Sequence, residues 1–373
     1  MSDSNHIKTQ IYLAALLHDI GKFYQRFDPD STAKSKILKQ DIKKLESTYC
    51  PYISNGNYYT HKHVLWTAQF FDDHRKKINI IFGLPSDDDT LMTLAASHHN
   101  PNPNNELALI IQLADKLSSA AEREEKKQEY KDDEKGWDKF KKVPLYSVFD
   151  KISLLEKDEK RPEKELKNPI KTQKISIEKL PIAENSDFIP DYSIWEKKEK
   201  EKIEGFKVEF EKIPDNLSPE NFIQTLDALL HKYTYCIPSS TKDEPDISLY
   251  DHSKTTAFLA ISLYDYLQNN NLSIKNITDV DKPFILLGGD ISGIQDFIYD
   301  IPNEGAAKQL KARSFYLHLL TEVIVRYILK DFNLLHLNIV YSSGGNFYLL
   351  LPNLNNVEHK IKYLNTKINE KLL

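Results

Sequence analysis

Apolar and polar positions alternate with the period of α-helices over the first third of the chain. Residues 7–27, IKTQIYLAALLHDIGKFYQRF, carry apolar side chains at this spacing. The same pattern predicts helices over residues 61–74 and 88–98, and another from about residue 104 through ELALIIQLADKLSSAAER. The segment Asn100-Pro101-Asn102-Pro103 ends the third helix. We therefore predict an all-helical domain over residues 1–125.

The middle of the chain, residues 126–215, has a different character. It mixes both signs of charge densely, as in EYKDDEKGWDKFKK, which is typical of a solvated helix or connector. The short apolar pieces VPLYSVFD and ISIEKLPI predict strands or docking segments within it. We predict that this segment is a charged linker.

The last part, residues 216–373, again has a globular pattern. Ser218-Pro219-Glu220 is a favourable helix start, and a second helix is predicted after Ser253. A buried strand over residues 283–290, a helix over 306–331, a hairpin over 337–352 and a helix over 356–372 follow. This βαββα order is a ferredoxin-like βαββαβ unit without its last strand. The open sheet position suggests either a fragment of a longer protein or a strand supplied from elsewhere.

The predicted fold class is therefore α+β multidomain, an all-α domain followed by a ferredoxin-like, palm-type sandwich. A length of 373 residues suits two or three domains. The net charge of -5 argues against a generally basic nucleic-acid-binding surface but allows a local basic groove. Cys50 and Cys236 stand alone, which argues against a disulfide framework or a cysteine zinc site. No long apolar run and no signal region are present, so we expect a cytoplasmic protein without membrane contact.

Candidate metal ligands recur along the predicted helical domain. His18-Asp19 lies in LLHDIGK, His61 and His63 precede the next helix, and His98-His99 end a third. Asp115 lies within the apolar run LIIQLADKLS, where an unpaired carboxylate would be costly to bury. Histidine nitrogens and carboxylate oxygens suit a divalent transition metal, which can activate water and offset charge on a phosphodiester. The combination predicts a metal-dependent phosphodiesterase of the HD type.

Several neighbouring residues have alternative explanations. His61 could simply begin a helix, and His99 could lie outside the ligand set or face the substrate. Lys22 and Arg26 follow the His-Asp pair by one and two helical turns. They could contact phosphates or form a solvated helix face.

A second candidate site lies in the glycine-rich part of the palm-type domain. Asp290 is predicted at a strand end, where palms place one metal-binding carboxylate, but the Ser343-Gly344-Gly345-Asn346 turn has no acidic residue. One carboxylate cannot clamp two metals, so catalysis by this palm alone is not expected. Nucleotide binding remains open, or the glycines serve only the turn. The candidate nucleotide-binding residues are Asp290, Ser292, Gly293, Lys308, Arg313, Gly344 and Gly345.

These motifs resemble the large subunit of type III-A CRISPR effector complexes, a multidomain protein with an HD nuclease and two palm domains. The resemblance rests on LLHDIGKFYQR, KHVLWTAQFF, SHHNP and LADKLSSAAER, and on YCIPSST, DISLYDHSKTTA, GGDISGIQDFIY, GAAKQLKARSFYLHLL and SSGGNFYLLLP. Only the charged middle is unmatched. The matched part would be the family's N-terminal portion, with the HD domain and the first palm.

The resemblance implies a ligand set of His18, Asp19, His63, His98 and Asp115, with His63 preferred to His61. His18 and Asp19 would be the catalytic pair. It also implies single-stranded DNA cleavage with manganese or nickel, switched on when the guide RNA in the complex pairs with target RNA. The first palm would help to hold ATP for cyclic oligoadenylate synthesis, although the catalytic GGDD of the second palm is absent from this sequence. The other subunits of the complex would be partners.

Two other functions remain open. The helical domain could hydrolyse free or cyclic nucleotides, which would require activity on mononucleotides and none on oligonucleotides. Alternatively, the chain could be a scaffold subunit with an inactive HD domain, which would carry no stoichiometric metal.

Overall fold

The chain divides into two units, Met1–Ala257 and Phe258–Leu373, in the computed structural model. The structure describes residues 3–28, 30, 35, 37–122, 139–143, 145–146, 169–170, 203–241, 245–301 and 305–372. The division differs from the predicted boundary near residue 215, because the described chain from residue 203 to Ala257 belongs to the first unit.

Over its described residues, the first unit is helical with two small pairs of antiparallel strands. Its helices are α1 (Asp3–Leu17), α2 (Ile20–Phe27), α3 (Gln40–Lys43), α4 (Glu46–Tyr49), α5 (His63–Ile81), α6 (Thr90–Ala96), α7 (Glu106–Glu122), α8 (Lys139–Lys142), α9 (residues 203–211), α10 (Pro219–Thr234) and the start of α11 (Leu249–Asn270). Strands β1 (Tyr52–Ile53) and β2 (Tyr58–Tyr59) form one hairpin. Strands β3 (Leu145–Tyr146) and β4 (Pro169–Ile170) form the other pair. β3 falls within the predicted VPLYSVFD segment, whereas ISIEKLPI lies outside the described residues.

Helix α1 is the centre of the first unit. All residues from Lys8 to Leu17 are buried, and α6, α7 and α10 pack around the helix. A helix that is enclosed on every side needs apolar residues all round, and IYLAALL, residues 11–17, supplies them. The residues at the C-terminal end of α1 are therefore held deep in the unit.

The prediction of one helix over residues 7–27 is wrong at a single point. The chain leaves helical geometry at His18 and Asp19, and Asp19 has φ -106° and ψ 11°. The Asp19 side chain makes no capping bond to α2. In a continuous helix the His18 and Asp19 side chains would point about 100° apart, whereas the break in the helix lets them face the same side.

Helix α9 comes from the segment that the sequence predicts to be a linker. Its Phe206 and Phe210 are fully buried, and their rings lie 6.3 and 5.3 Å from that of Phe70 on α5. Phe206 also lies 5.5 Å from the Phe23 ring on α2. These two aromatic side chains, four residues apart on one helix face, attach the end of the charged segment to the helical core.

The second unit has the predicted βαββα order, but the prediction of a buried strand over residues 283–290 is wrong: no residue of the observed strand is buried, and alternate residues from Leu286 (60% exposed) to Asp290 lie on an open face. Strands β5 (Phe284–Asp290), β6 (Ile339–Ser343) and β7 (Asn346–Pro352) form an antiparallel sheet in the order β5-β7-β6. Helix α13 (Ala306–Asp331) connects β5 to β6, α14 (Val357–Leu372) follows β7, and a short α12 (Ile294–Tyr299) follows β5. Among the described residues this sheet has three strands, so the ferredoxin-like order lacks its fourth strand, as predicted.

The β6–β7 turn has the predicted glycine geometry. Gly344 and Gly345 have φ values of +62° and +87°, and Ser343 pairs with Asn346 on either side of them. A two-residue hairpin turn of type I′ needs positive φ at both positions, which glycine adopts without steric cost. The turn directs Phe347, Leu349 and Leu351 of β7 into the core of this unit.

Within the described part of the chain, no helix combines the length and the apolar character needed to cross a membrane.

We predict that Gly21→Ala destabilises the first unit by about 1–3 kcal/mol, because a Cβ at residue 21 has no space. That atom would overlap the backbone carbonyl oxygen of His63 and lie 2.6 Å from the backbone nitrogen of Thr67, so α2 and α5 would have to separate. Urea unfolding of the variant measures the loss. Gln25→Ala, on the same helix and half-buried, is the control and should change stability by less than about 0.5 kcal/mol. Equal stability of the two variants would contradict the prediction.

Candidate metal centre

The break between α1 and α2 places His18 and Asp19 at the centre of a cluster of histidines and carboxylates. Asp19 is 1% exposed and His18 is fully buried. Side chains from α5, the end of α6, α7 and α11 converge on this pair. The two carboxylate oxygens of Asp19 face different sides of the cluster.

The first group lies on the Oδ1 side of Asp19. His63 Nε2 is 3.0 Å from Asp19 Oδ1, and His98 Nε2 is 3.6 Å from it. Together with His99, these residues offer one ligand atom each within 4.8 Å of one another. This distance range is compatible with a single ion between them.

The second group lies on the Oδ2 side. His18 Nε2 and His252 Nε2 are each 3.3 Å from Asp19 Oδ2. Asp115 Oδ1 completes the group, 3.6 Å from His18 Nε2 and 3.2 Å from His252 Nε2. The ligand atoms of these four residues also lie within 4.8 Å of one another, and all four side chains are buried. Asp19 therefore belongs to both candidate sites.

Backbone carbonyls fix the protonation pattern of two histidines. His18 Nδ1 lies 2.7 Å from the oxygen of Ala15, and His98 Nδ1 lies 2.7 Å from that of Ala95. A carbonyl oxygen only accepts, so Nδ1 of each ring carries the hydrogen and Nε2 presents its lone pair to the cluster. On His252, Ser118 Oγ lies 3.0 Å from Nδ1 and holds the same edge. Such outer partners are typical of metal-binding histidines.

Several of these atoms are buried without a well-formed hydrogen bond, even though His63 Nε2 and Asp19 Oδ1 lie only 3.0 Å apart. They are Asp19 Oδ1, His63 Nε2, His98 Nε2 and His99 Nε2. Buried polar atoms are normally paired, because an unpaired one costs about 1–3 kcal/mol. A divalent cation would satisfy all four atoms at once, so the residues present fit a metal.

The surroundings set the charge state that a metal needs. Burial lowers the pKa of His63 to about 4 in spite of the Asp19 carboxylate. Burial and the neighbouring histidines also lower the pKa of His99. Burial opposes ionisation of both carboxyls, but Lys22, His18 and His63 hold the pKa of Asp19 well below its usual range, and His18 and His252 hold that of Asp115 below its usual range. Neutral imidazoles and ionised carboxylates are the metal-binding forms.

His18 behaves differently in the metal-free chain. Burial acts to lower its pKa, but Asp19 and Asp115 outweigh this effect and raise the pKa above its ordinary value. A metal at the second group would compete with this proton.

The structure thus brings together all five residues predicted as ligands, namely His18, Asp19, His63, His98 and Asp115. Their role as ligands stays a prediction. His61 lies outside the two groups, with an exposed side chain whose ring is 4.1 Å from that of His99. His99 is 21% exposed and marks the more open side of the cluster.

Sequence reasoning missed His252, which lies 234 residues after His18. Its segment, DISLYDHSKTTA, contributes to the sequence analysis only through the family resemblance, and the sequence predicts the helix to begin after Ser253. Helix α11 begins at Leu249 and includes His252 in its first turn. His252 stands between Asp251 and Ser253, so no apolar pattern marks it as buried, and nothing local indicates a contact with residues on the far side of the charged segment.

The two basic residues after the His-Asp pair have separate environments. Lys22 Nζ lies 2.6 Å from Asp19 Oδ2 and donates to the backbone oxygen of Ser239 at 3.0 Å. Arg26 is 3% exposed, and its guanidinium donates to the backbone oxygens of Phe140 and Val143. Arg26 therefore neither contacts phosphates nor forms a solvated face, because it attaches the α8 segment to α2.

The candidate nucleotide-binding residues lie in the second unit. Asp290 ends β5 opposite Asn346, and the backbone nitrogen of Ile291 donates to Gly345 O at 3.1 Å, so Asp290 and the glycine turn share one end of the sheet. Ser292 is exposed, Gly293 has φ +76° before α12, and Gly344 is exposed in the turn. Lys308 lies in the first turn of α13. Arg313 donates to Phe297 O and its guanidinium lies 5.1 Å from the Phe297 ring centre.

Comparison with known proteins agrees with both parts of this description. Residues 1–174 match the family model "Cas3, HD domain", and residues 283–373 match "Csm1 subunit domain B". A single-strand-specific deoxyribonuclease Cas10/Csm1 of CRISPR subtype III-A from Methanocaldococcus jannaschii is 32% identical over 98% of this chain and 43% of its own length. The chain is homologous to the Cas10/Csm1 proteins of subtype III-A. Cas10/Csm1 from Enterococcus italicus is 29% identical over 93% of this chain and 42% of its own length.

Solved structures of Cas10/Csm1 proteins share the fold. A Csm1–Csm4 cassette in complex with one ATP superposes with a TM-score of 0.60 at 23% identity, over 96% of this chain and 41% of that one. Csm1 of T. onnurineus gives a TM-score of 0.58 at 23% identity, over 97% of this chain and 42% of that one. The chain thus spans less than half the length of the Cas10/Csm1 proteins to which it is similar.

We predict that substitution of Asp19, which belongs to both ligand groups, lowers the bound metal more than substitution of a residue that belongs to one group. Asp19→Asn should remove most bound manganese, whereas His98→Gln and His252→Gln should each weaken only one of the two groups, because Asp19 alone belongs to both. Elemental analysis after loading and desalting gives the metal-to-protein ratio of each variant. His318→Gln, an exposed histidine of the second unit, should keep the wild-type ratio. A wild-type ratio in His252→Gln would remove His252 from the ligand set.

We also predict that the metal-free protein loses stability on acidification. Because the His63 pKa is about 4 in the folded chain and 6.5 ordinarily, the unfolded chain binds more protons between these values. This contribution is present above pH 6.5 and is lost as the pH falls towards 4, and His99 acts in the same direction. The raised pKa of His18 acts oppositely, since its contribution is present below 6.5 and is lost as the pH rises.

Melting temperatures in EDTA at about pH 7.5 and about pH 5.5 measure the net effect. The wild type should melt lower at the acidic pH, and His99→Gln should show a smaller drop because one uncharged buried imidazole is gone. His318→Gln should behave as the wild type. A higher melting temperature at the acidic pH would contradict the prediction.

Proposed function

We propose that the first unit is a divalent-metal-dependent nuclease that hydrolyses single-stranded DNA. The observation that carries the proposal is the pair of ligand groups that share Asp19, with buried nitrogen and oxygen atoms that no hydrogen bond satisfies. The match of residues 1–174 to an HD domain and the naming of the Cas10/Csm1 relatives as single-strand-specific deoxyribonucleases support it.

One or two ions would be held by the histidines and carboxylates of the two ligand groups, which are His18, Asp19, His63, His98, His99, Asp115 and His252. A mixed imidazole and carboxylate set suits manganese or nickel. When bound, the metal would activate water for attack on the phosphodiester and offset the negative charge that develops on it. The Asp19 carboxylate would contribute one oxygen to each group, because Oδ1 and Oδ2 face different histidines.

The protein side chains around the metals have roles of their own. The Ala15 and Ala95 carbonyls orient the His18 and His98 rings. The Lys22 ammonium stabilises the ionised Asp19 and, being 30% exposed, can also meet a phosphate oxygen. The open side, marked by His99 and the exposed His61, would admit the DNA strand.

A type III-A CRISPR effector complex is the setting that we propose for this activity. The similarity to Cas10/Csm1 proteins over 98% and 93% of the chain supports partnership with the other subunits, a guide RNA and a target RNA. In the second unit, ATP binding at the Asp290 end of the sheet is a further proposal. Its support is the shared end of Asp290 and the glycine turn, together with the likeness to domain B.

The decisive experiment compares cleavage of an end-labelled single-stranded DNA by the wild type and by a His18→Gln/Asp19→Asn variant, with manganese. The variant should lose more than about 100-fold in rate, because the loss of metal ligands exceeds the cost of losing their outer partners. EDTA should stop the wild type, and His318→Gln should cleave normally. Circular dichroism checks that the double variant is folded.

The outcomes also separate the alternative functions. Undiminished cleavage by the double variant would contradict the assigned site. Hydrolysis of mononucleotides or cyclic dinucleotides without cleavage of DNA would favour a nucleotide phosphohydrolase. A wild type without stoichiometric metal would favour a scaffold.

A further inference from the structure

The β1–β2 hairpin, residues 51–60, exposes aromatic side chains. Tyr52 is 51% exposed and Tyr58 is 49% exposed, and Ile53, the second residue of β1, is 41% exposed. The hairpin follows the buried Cys50 and leads directly to His61. We call residues 51–60 the tyrosine hairpin.

The exposed rings are not explained by packing within the hairpin. Tyr52 pairs with Tyr59 and Ile53 pairs with Tyr58, so apolar side chains lie on both faces of a two-stranded ribbon. The Tyr52 and Tyr59 rings lie 5.0 Å apart, and each face remains open to solvent. Such a ribbon has no core to bury these side chains, and their exposure suggests a role in binding.

The turn of the hairpin is built to carry a bulky ring. A Cβ at Gly56 would overlap an atom of the Tyr58 ring, so the glycine leaves room for this ring against the turn. Asn57 has φ +54°, a conformation that asparagine tolerates better than most residues. The Tyr52 hydroxyl donates to Asn57 Oδ1, which fixes this ring relative to the turn.

The base of the hairpin is attached to the candidate metal centre. Thr60 donates its backbone N–H to Pro51 O at 2.9 Å, which closes the hairpin immediately before His61. His61 has φ +54° and turns the chain into α5, whose first residue is His63. The His61 ring is 4.1 Å from that of His99. Tyr59 lies two residues before His61, no more than about 7 Å along the chain, so the hairpin borders the open side of the centre.

The chemistry of the hairpin suits bases and not phosphates. Its sequence, PYISNGNYYT, has no charged residue, so it offers no cation for the DNA backbone. Exposed aromatic rings instead stack on unpaired bases, with about 1–3 kcal/mol per base. Bases in a duplex are already stacked and paired, so they are not available for this contact. A surface of this kind therefore favours a single strand.

We propose that the tyrosine hairpin binds bases of single-stranded DNA beside the scissile phosphate, an inference that rests on the proposed nuclease function. Tyr52 and Tyr58 are the residues that stack, one on each face of the hairpin. Stacking holds the strand at the open side of the metal centre and selects against duplex DNA.

The test measures binding of a labelled oligonucleotide to the full chain by fluorescence anisotropy in EDTA, where no cleavage occurs. Tyr52→Ala/Tyr58→Ala should raise the Kd by about tenfold or more, and Tyr52→Phe/Tyr58→Phe should stay near the wild type. The dependence of the Kd on salt should be the same in all three proteins, because no phosphate contact is lost. Tyr363→Ala, which removes a 53% exposed tyrosine of the second unit, is the matched control.

An abasic oligonucleotide of the same length identifies the group that is bound. The wild type should bind the abasic strand as weakly as the alanine variant binds the normal strand. The alanine variant should bind the normal and the abasic strand with the same Kd. An unchanged Kd in the alanine variant, or an equal loss on normal and abasic strands, would overturn the proposal.

Hydrolysis of bis(p-nitrophenyl) phosphate, which has no base, separates the two proposals. The alanine variant should hydrolyse it with manganese as fast as the wild type. A wild type that hydrolyses neither this ester nor DNA would defeat the nuclease proposal, while the anisotropy result would still decide whether the hairpin binds bases.

Discussion

The buried carboxylate of Asp19 is the constraint around which the first unit is organised. A carboxylate that is 1% exposed must be compensated, because an isolated buried charge is far too costly to keep. Lys22 supplies one compensating charge at 2.6 Å, and the histidines around both oxygens supply polar contacts. Oδ1 and three nearby histidine nitrogens nevertheless remain without a hydrogen bond. A site that holds such atoms in place without hydrogen bonds is organised for a cation.

The helices keep these atoms in position through backbone contacts as well as through apolar packing. Thr67 on α5 accepts from the backbone nitrogen of Gly21 at 3.1 Å and donates to the backbone oxygen of His18 at 2.9 Å. The same helix begins with His63, so the two histidines and Asp19 are fixed relative to one another. Glycine at residue 21 allows α2 to approach α5 closely enough for these bonds. Packing between α2 and α5 thus determines the geometry of the cluster.

The second unit was largely predictable because its elements are local and strongly patterned. The apolar run of β5, the long α13 and the paired glycines of the β6–β7 turn each leave a separate signal in the sequence. The long helices of the first unit are also predicted, with less accurate limits, whereas the short α3 and α4 are not. The break at His18 and Asp19 lies inside a continuous apolar pattern, so periodicity could not reveal it. Helix α9 was missed because its two buried phenylalanines stand among many charged residues.

The sequence by itself determined the chemistry that is available. It specified the ligand types, the local order of helices and strands, and the absence of an acidic residue from the palm-type turn. Only the tertiary structure decided which of these residues meet. His252 joins His18 and Asp115 across most of the first unit, and Arg26 is buried against α8 and does not face solvent. The physical reason is that residue periodicity reports the burial of one face of one element, whereas a metal centre is set by how several helices pack together.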